Sequence, residues 1–380
     1  MIQIKHNNNN SIIGIITNPI SRAGSTPLSN LASILYGPSN NINNILSNEA
    51  FVLTNSHNNL NIFRIRHISG VTVFTRIIRY VYTQFRICWQ VLLVNHNIKL
   101  WIFLFGETLI LPMLVIKLLG LRSILIYTGS PANVGKIQND SLSIITEKLQ
   151  EINYFLSDAI IIYSERLVNE QCLEKYRSKI YIAHEHFLDL SKFRNMRQID
   201  QRNNVIGYIG RLTRAKGIYN FIEAIPLFLN KSNDVSILIG GEGPECKHIK
   251  EYVYDHGLEK NVSFNGWISH NDLPYQLNNI KLLVLPSYSE GLPNIIIEAM
   301  ACGTPVLATS IGAIPDIIED GVTGFLLDNN SPLSISQYIV SILNRSDLET
   351  ISENARLYIA NNFTYISTVK EFQKIIKKFE

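Results

Sequence analysis

The amino-acid sequence predicts an α/β protein made of two Rossmann-like domains, each with a doubly wound parallel sheet. Its 380 residues are enough for two domains of ordinary size, and 46% of them are apolar, which suffices for two cores. Short β-rich runs alternate with helical patterns along the chain, and Gly or Pro follows many of the runs. This alternation is typical of βαβ crossovers and hence of parallel sheets.

The second half shows the alternation most clearly. Six strands are predicted there, at Asn204–Ile209, Val235–Ile239, Val262–Phe264, Lys281–Leu285, Pro305–Ala308 and Gly324–Leu327. Helical patterns at about 217–229, 245–256, 271–277 and 294–302 separate them, and Gly257 is placed to end the second of these helices. The pattern therefore predicts a complete doubly wound domain at residues 204–328.

The first half shows the same pattern less clearly. Its predicted strands are Ser11–Thr17, Leu100–Phe105, Ser123–Tyr127, Ala159–Tyr163 and Lys179–Ile182, and the polar stretch Asp189–Asn203 predicts a linker. Three helices close the chain, at Pro332–Leu343, Leu348–Asn361 and about 366–379. We expect an N-terminal domain at 1–190, a C-terminal domain at 204–362 and a last helix within 363–380.

The cysteines and the first residues bear on location. Cys88, Cys172, Cys246 and Cys302 are scattered and show no spacing typical of a zinc site. This favours a reducing compartment without a disulfide framework. The first residues lack the apolar core of a signal peptide, so a cytoplasmic location is expected.

Positive charge is concentrated in the first part of the chain. Residues 1–136 contain 11 Lys and Arg but only two acidic residues, Glu49 and Glu107, whereas the whole chain has a net charge of only +3. Such asymmetry favours a basic surface that meets a membrane face, a phosphate-bearing acceptor or nucleic acid. No RNA- or DNA-binding motif accompanies the basic residues, so no nucleic-acid partner is expected.

One apolar segment, Leu100–Leu121, is long enough to span a bilayer. Glu107 and Pro112 interrupt it, however, so a buried strand, a turn and a packed helix are favoured over a membrane span.

A second segment, Val71–Leu93, has a helical pattern with a basic face. Arg76, Arg79, Arg86 and Gln90 fall roughly together, while the apolar residues lie elsewhere on the helix. Such a helix can lie on an anionic membrane surface, or it can be an ordinary helix with one solvated basic face.

Two glycine-containing loops follow strands in the second half, where open α/β sheets bind ligands. GRLTRAKG begins at Gly210, and its Arg211 and Lys216 could neutralise a diphosphate, although a solvated basic loop is the alternative. GGEGP contains Gly241 and Glu242 and could pass close to a nucleotide, or it is a tight turn before a helix.

Glu290 and Glu298 form the third candidate, in the stretch SEGLPNIIIEAMACGTPV. Glu290 precedes a predicted helix, and Glu298 lies inside it among apolar neighbours, where a carboxylate without partners would be costly. Sugar hydroxyls are donors that could satisfy it. The alternative is two solvated carboxylates, which the apolar flanks of Glu298 oppose.

Together these motifs resemble those of retaining glycosyltransferases of the GT-B fold, family 4 (glycosyl transferases group 1). The shared pattern G-R-L…K-G, G-x-G-P and E-G-x-P-x-x-x-x-E-A-x-A-x-G-x-P-V occurs here as GRLTRAKG, GEGP and EGLPNIIIEAMACGTPV, in that order, within about residues 204–328. The resemblance implies two domains facing across a cleft, the first binding the acceptor and the second the nucleotide sugar, with C-terminal helices returning to the first domain.

The resemblance also implies roles for the donor site. Arg211 and Lys216 would hold the diphosphate, Glu298 would bind the ribose, and Glu290 would contact or place the transferred sugar. The other implied donor-site residues are Gly210, Gly241, Glu242, Gly291, Leu292, Pro293 and Asn294. No cofactor and no strictly required metal are implied, because the two basic residues would replace a metal.

The first half departs from the family pattern, which has a His just after the strand at Ser123–Tyr127. Thr128 stands in that place in ILIYTGSPANVG, with Ser130 or Asn133 as candidates to substitute for the His. Candidates for acceptor or phosphate contact are Gly24, Gly129 and Ser130. His96, the nearest other His, is expected at the surface or in a cap.

The stretch HEHFLD at His184–Asp189 contains several titratable side chains. Their spacing fits no common metal site, so a hinge turn is favoured.

The predicted function is transfer of a hexose from a nucleotide sugar to a polysaccharide or a polyprenol- or other lipid-linked acceptor, with retention of configuration, in cell-surface polysaccharide biosynthesis. Peripheral contact with the inner face of the membrane is a further expectation. The alternatives are a sugar-nucleotide 2-epimerase on the same fold and a catalytically inactive binding or scaffold protein.

Overall fold

The computed structural model describes residues 12–18, 24–36, 42–47, 61–65, 67–68, 70–94, 98–231 and 234–379. The chain forms two compact units. Unit 1 extends over Met1–Phe187 and Tyr365–Glu380, and unit 2 over Leu188–Thr364.

Unit 1 contains a sheet of seven described strands, all parallel, in the order β3-β2-β1-β4-β5-β6-β7. The strands are β1 Ile12–Thr17, β2 Ile42–Ser47, β3 Asn61–Arg64, β4 Ile98–Leu104, β5 Arg122–Ile126, β6 Ala159–Ile162 and β7 Ile180–Ile182. Its helices before the boundary with unit 2 are α1 Ser25–Tyr36, α2 Val73–Val94, α3 Ile110–Leu118, α4 Pro131–Ile137, α5 Ser143–Leu156 and α6 Glu165–Glu170.

Unit 2 contains a sheet of six described strands, also parallel throughout, in the order β10-β9-β8-β11-β12-β13. The strands are β8 Val205–Ile209, β9 Ser236–Gly240, β10 Val262–Gly266, β11 Leu282–Leu285, β12 Val306–Thr309 and β13 Phe325–Leu327. Its helices are α7 Ile218–Leu229, α8 Cys246–Asp255, α9 Leu273–Asn279, α10 Asn294–Ala301, α11 Ile314–Ile317, α12 Pro332–Leu343 and α13 Leu348–Asn362.

The last helix, α14 Tyr365–Ile376, belongs to unit 1. It packs against α1, and the Tyr365 hydroxyl donates to the carbonyl of Ser33 at 3.0 Å. Phe372 of α14 is fully buried. Two segments that are far apart in the sequence therefore build one core.

Both sheets confirm the predicted α/β class with doubly wound parallel sheets. In each, the order reverses between the first strand and the fourth, that is between β1 and β4 and between β8 and β11. Loops that leave the carboxyl ends of such strands diverge and leave a crevice, which is where these sheets bind ligands. The fold thus points to the loops after β8, β9 and β11 in unit 2 and after β1, β4 and β5 in unit 1.

The sequence did not predict β2 and β3. Their sequences, INNILS and NIFR, are short and contain Asn, which is depleted in strands. β2 nevertheless pairs with the Ile-rich strand β1, and β3 pairs with β2.

The apolar segment 100–121 folds as the strand, turn and helix that were predicted. β4 ends at Leu104, Phe105 takes a left-handed conformation with φ of 56°, and α3 begins at Ile110. No helix among the described residues combines the length and apolar character that crossing a membrane would need.

The polar stretch 189–203, for which a linker was predicted, is part of unit 2. Phe193 and Ile199 in it are buried. The guanidinium of Arg202 donates to the carbonyl oxygens of Leu277, Ile280 and Cys302 at 2.8–3.2 Å.

Candidate active site

The two glycine-containing loops of unit 2 lie against each other, backbone to backbone. The amide of Leu212 donates to the carbonyl of Glu242 at 3.0 Å. A Cβ on Gly241 would come within 1.9 Å of the Gly210 carbonyl oxygen, and one on Gly243 within 2.2 Å of the Leu212 oxygen. Only glycine permits this approach, so the loops after β8 and β9 form one continuous surface at the carboxyl edge of the sheet. We call this surface, which includes Gly210 and Gly241, the ledge.

Lys216 and Glu290 meet across the reversal point between β8 and β11. The Lys216 ammonium lies 2.6 Å from both carboxylate oxygens of Glu290. The Ser287 hydroxyl donates to Glu290 Oε1 at 2.7 Å. The Glu290 side chain is only 5% exposed and that of Lys216 20%. A carboxylate buried to this degree requires such partners, so Lys216 and Ser287 account for its position.

The turn that delivers Lys216 depends on Gly217. Lys216 ends a short 3-10 helix at Arg214–Lys216, and Gly217 follows with φ of 67°. A Cβ at Gly217 would lie 1.9 Å from the carbonyl oxygen of Pro286. The amide of Tyr288 also donates to the Ala215 carbonyl at 2.9 Å. The loop after β8 is thus fastened to the loop after β11.

Arg211 differs from Lys216 in its surroundings. Its side chain is exposed, and it makes no ion pair with any described residue. Arg211, which the sequence analysis assigned to diphosphate binding together with Lys216, is therefore available to an anionic ligand at the same edge of the sheet.

The loop Gly291–Asn294 is held by Gly312 and Ala313. The amide of Ala313 donates to the Gly291 carbonyl at 2.9 Å. Gly312 has φ of 58°, and a Cβ there would lie 2.4 Å from the Glu290 carbonyl oxygen. α10 then begins at Asn294 after Pro293. The loop therefore has a fixed backbone at a helix N-terminus, where anions are favoured.

Glu298 lies on α10, is 5% exposed in its side chain, and is paired with a residue that the sequence did not single out. His270 Nε2 is 3.1 Å from Glu298 Oε1, and the Lys192 ammonium is 3.1 Å from His270 Nδ1. An ammonium can only donate, so Nδ1 accepts and Nε2 carries the proton that is donated to Glu298. Phe193 packs on the His270 ring with centroids 5.0 Å apart. His270 stands in no motif quoted above, and no sequence signal marked it.

In unit 1, Thr128 follows β5 and is bound to Glu107, which follows β4. The Thr128 amide and hydroxyl both donate to Glu107 Oε1, at 3.1 and 3.0 Å. Glu107 is fully buried, and this burial raises its pKa to about 6 despite the hydrogen bonds from Thr128. The sequence marked Glu107 only as an interruption of an apolar run.

Polar side chains fix the turn that carries Glu107. Asn153 donates to the carbonyls of Gly106 and Glu107 at 3.2 and 3.1 Å. The Tyr80 hydroxyl lies 2.6 Å from Thr108 Oγ1. The reversal point of the first sheet is therefore a buried polar cluster.

The remaining unit 1 candidates occupy helix starts and turns. Ser130 is the N-cap of α4 and accepts from the Asn133 amide at 3.1 Å, while the Asn133 side chain donates to Gln171. Gly129 has φ of 142°, and Gly24 lies directly before α1. Residues 21–23 of the SRAGS loop and His96 lie outside the described residues.

The HEH stretch is a buried cluster in unit 1. The Tyr163 hydroxyl donates to Glu185 Oε1 at 2.8 Å, and the ring of His186 packs edge-on against Tyr163. Burial raises the pKa of Glu185 to about 7 and lowers that of His184 to about 4. No group of side chains suited to holding a metal ion occurs in the described part of the chain.

Comparison with known sequences matches residues 190–358 to the family described as Glycosyl transferases group 1. Alpha-D-kanosaminyltransferase of Streptomyces kanamyceticus is 28% identical over 48% of this chain and 49% of its own length. The capsular polysaccharide biosynthesis glycosyltransferase CapM of Staphylococcus aureus is 31% identical over 47% of each chain. The chain thus spans about half the length of these curated relatives.

Solved structures resemble the whole chain at low sequence identity. HepE of Anabaena, crystallised with UDP and glucose, has a TM-score of 0.76 at 16% identity and covers 96% of this chain and 99% of its own. Sucrose-phosphate synthase of Thermosynechococcus elongatus has a TM-score of 0.75 at 17% identity, covering 97% and 99%. These likenesses establish the fold.

The sequence match covers most of unit 2, including the ledge, the Lys216–Glu290 pair and Glu298. Residues 190–358 are thus similar to the family described as Glycosyl transferases group 1.

Proposed function

We propose that the protein is a glycosyltransferase that moves a hexose from a nucleoside-diphosphate sugar to a hydroxyl of a polysaccharide or lipid-linked acceptor, with retention of configuration. The observation that carries this proposal is the Lys216–Glu290 pair at the reversal point of the second sheet. It places an ammonium and a carboxylate together where such sheets bind ligands, inside the domain that matches a glycosyltransferase family.

The diphosphate of the donor would lie along the ledge. Arg211 and Lys216 supply two cations, and Gly210 and Gly241 leave the backbone unobstructed by side chains. Glu242 contributes its backbone to the ledge, since its carbonyl accepts from Leu212. Arg can bind phosphate oxygens in a fork and Lys as a point charge, which suits a charged group that must be held and later released.

The nucleoside would lie beside Glu298 on α10. The sugar would lie at the loop before that helix. Glu298, already oriented by His270, would accept hydrogen bonds from the ribose hydroxyls. Glu290 would contact or place the transferred sugar. The backbone of Gly291, Leu292, Pro293 and Asn294 would touch the sugar or the phosphate.

The proposed chemistry consists of positioning and charge stabilisation. The bond between the anomeric carbon and the diphosphate oxygen breaks, and the acceptor oxygen bonds to the same face of that carbon. The departing diphosphate takes the acceptor proton. Arg211 and Lys216 stabilise the charge on the leaving group, so we propose no cofactor and no strict metal requirement.

Unit 1 would supply the acceptor side through Thr128, Gly129, Ser130 and Gly24. Since the Thr128 hydroxyl donates its proton to Glu107, its lone pairs remain to accept from an acceptor hydroxyl. We further propose that the protein works in the cytoplasm at the inner face of a membrane, in cell-surface polysaccharide synthesis.

Donor turnover tests the proposal. The purified protein is incubated with UDP-, GDP- and dTDP-sugars, with and without candidate acceptors, and release of nucleoside diphosphate is measured. Acceptor-dependent release, with an anomeric configuration by NMR equal to that of the donor, is expected. Conversion of a donor to its 2-epimer without acceptor would indicate an epimerase, and tight nucleotide binding with no turnover on any donor would indicate a scaffold protein.

A further inference from the structure

Glu298 of α10 has fewer hydrogen-bond donors than a buried carboxylate requires. Its side chain is 5% exposed, and His270, at Oε1, is the one donor to it among the described residues. An ionised carboxylate can accept about four hydrogen bonds, and burial without enough donors is costly. Oε2 therefore suits a ligand that brings hydroxyl donors.

The ring of His270 suits this role in only one of its three forms. With one proton, on Nε2, it donates to Glu298 Oε1 across the observed 3.1 Å and leaves the negative charge uncompensated. With the proton on Nδ1 instead, the Nε2 lone pair would repel the carboxylate. With protons on both nitrogens, the cation would pair with the carboxylate and make it a weaker acceptor for a ligand.

Lys192 selects the first of these forms. Its ammonium lies 3.1 Å from His270 Nδ1 and donates to Asn271 Oδ1 at 3.0 Å. An ammonium has three donors and no lone pair, so a proton on Nδ1 would point at another donor. Lys192 therefore directs the single ring proton to Nε2, toward Glu298.

The neighbours of Lys192 hold this arrangement in place. The amides of Lys192 and Phe193 both donate to the carbonyl of Asp189, at 3.1 and 2.9 Å. Phe193 is buried, and its ring packs on the imidazole of His270 with centroids 5.0 Å apart. The imidazole is thus packed against Phe193, while Lys192 and Glu298 meet its two nitrogens.

We propose that Lys192 and His270 are positioning residues for the nucleoside of the donor, acting through Glu298. Lys192 fixes the proton of His270 on Nε2, His270 holds Oε1 of Glu298, and Oε2 accepts from the ribose hydroxyls. This role rests on the proposed function, since the ligand is the nucleotide of the donor. Both residues lie outside the three motifs of the donor side, and Lys192 belongs to the stretch for which a linker was predicted.

Nucleotide binding by the full chain tests this role. Titration calorimetry compares UDP, GDP and ADP with their 2′-deoxy forms dUDP, dGDP and dADP, and the readout is the affinity ratio within each pair. Wild type should bind its preferred ribonucleotide about tenfold more tightly than the 2′-deoxy form, because that form lacks a hydroxyl that donates to Glu298. A purely structural role would lower both affinities equally and leave the ratio unchanged.

Substitutions at the two residues should lower that ratio. Lys192→Met removes the donor at Nδ1 and should reduce the ratio by about threefold or more, because Glu298 becomes a poorer acceptor. His270→Ala should reduce it as much, whereas His270→Gln retains an N–H donor and should keep most of it. The matched control is Lys260→Met, at an exposed position of unit 2, which should bind each nucleotide as wild type does.

Nitrogen NMR of the histidine rings is a second readout, and it needs no ligand. The chain has nine histidines, and the signals absent from His270→Gln belong to His270. Wild type should show a proton on Nε2 and none on Nδ1, and Lys192→Met should gain one on Nδ1. A wild-type affinity ratio in Lys192→Met or His270→Ala, or an Nδ1 that stays unprotonated in Lys192→Met, would overturn this role. Sugar transfer by wild type would then leave the proposed function standing, whereas binding of none of these nucleotides would contradict both.

Discussion

Thr128 donates both its amide and its hydroxyl to the same oxygen of Glu107, a fully buried carboxyl on the neighbouring loop of unit 1. A histidine at position 128 could stabilise charge, whereas this threonine is a hydrogen-bonding group in one fixed orientation. Because the two residues are bonded to each other, we expect the protonation state of Glu107 to affect the stability of the fold and the position of Thr128.

Glu107→Gln should change how stability depends on pH. The pKa of Glu107 is about 6 in the fold and about 4.5 when unfolded, so the native state binds its proton more tightly. The wild-type protein therefore loses stability as the pH rises through this interval, by about 2 kcal/mol above pH 6. Gln cannot ionise, and its Oε1 can still accept from Thr128. Urea unfolding should show the variant gaining on wild type from pH 4 to pH 8.

The control for that measurement is Glu259→Gln, because Glu259 is exposed. Its unfolding free energy should run parallel to that of wild type. If the Glu107→Gln curve were parallel as well, the raised pKa would be wrong.

Thr128→Val should impair the acceptor side of the reaction. The methyl group that replaces the hydroxyl cannot accept from an acceptor hydroxyl, which should lower kcat/KM for the acceptor by roughly tenfold. The KM for the donor should be unchanged in initial-rate kinetics. Thr128→Ser keeps the hydroxyl and should retain most activity, and equal activity of the Val and Ser variants would exclude the proposed role.

Lys216→Ala should lower kcat by roughly 10²–10³-fold, as expected when a charge-stabilising donor is removed from a transition state. Arg214→Ala is the matched control, since Arg214 lies in the same 3-10 helix, is 57% exposed in its side chain and pairs with Glu245. That variant should turn over donor at the wild-type rate. Circular dichroism must show both variants folded, and full activity of Lys216→Ala would refute the donor-site assignment.

Glu298→Gln should weaken binding of the preferred nucleoside diphosphate by roughly tenfold, because hydrogen bonds to a charged acceptor are the stronger kind. A ribose-deoxy analogue should lose much less, since it lacks a hydroxyl that the carboxylate would accept from. Titration calorimetry measures both. Glu319→Gln, at an exposed position, should bind each ligand as wild type does. An equal loss for both ligands would show that Glu298 does not contact the ribose.

Gly217→Ala should destabilise unit 2 more than Gly257→Ala. Both glycines are left-handed, with φ of 67° and 65°, so each substitution costs about 1–2 kcal/mol. At Gly217 the new Cβ would also collide with the Pro286 carbonyl, whereas nothing lies within 4 Å at Gly257. Equilibrium urea unfolding compares the two, and similar losses would mean that the loops after β8 and β11 separate easily.

The sequence predicted that Lys216 and Glu290 lie at one edge of the sheet, but it did not predict that they touch. Lys216 and Glu290, 74 residues apart, were assigned to one edge because both follow strands of one parallel sheet. Their direct ion pair could not be predicted, because strand order does not determine which side chains touch. His270 was missed for the same reason, since its pairing with Glu298 depends on where Phe193 and Lys192 pack.

The orientation of α2 shows a second limit. Its periodicity correctly predicted a helix, and its arginines suggested that the basic face is the one that meets a membrane. Periodicity cannot show which face packs inward, and here Gln84, which accepts a hydrogen bond from the Leu111 amide, lies on the buried face with Ile87 and Val91. The aromatic residues Phe85 and Trp89 lie on the opposite, exposed face of α2.

The division of unit 1 between the two ends of the sequence affects how the protein is made. A ribosome synthesises all of unit 2, Leu188–Thr364, before α14. Unit 2 can therefore fold while unit 1 still lacks the helix that buries Phe372 against its core. Until α14 emerges, unit 1 lacks the helix that packs against α1, so its core can be completed only after unit 2 has been synthesised.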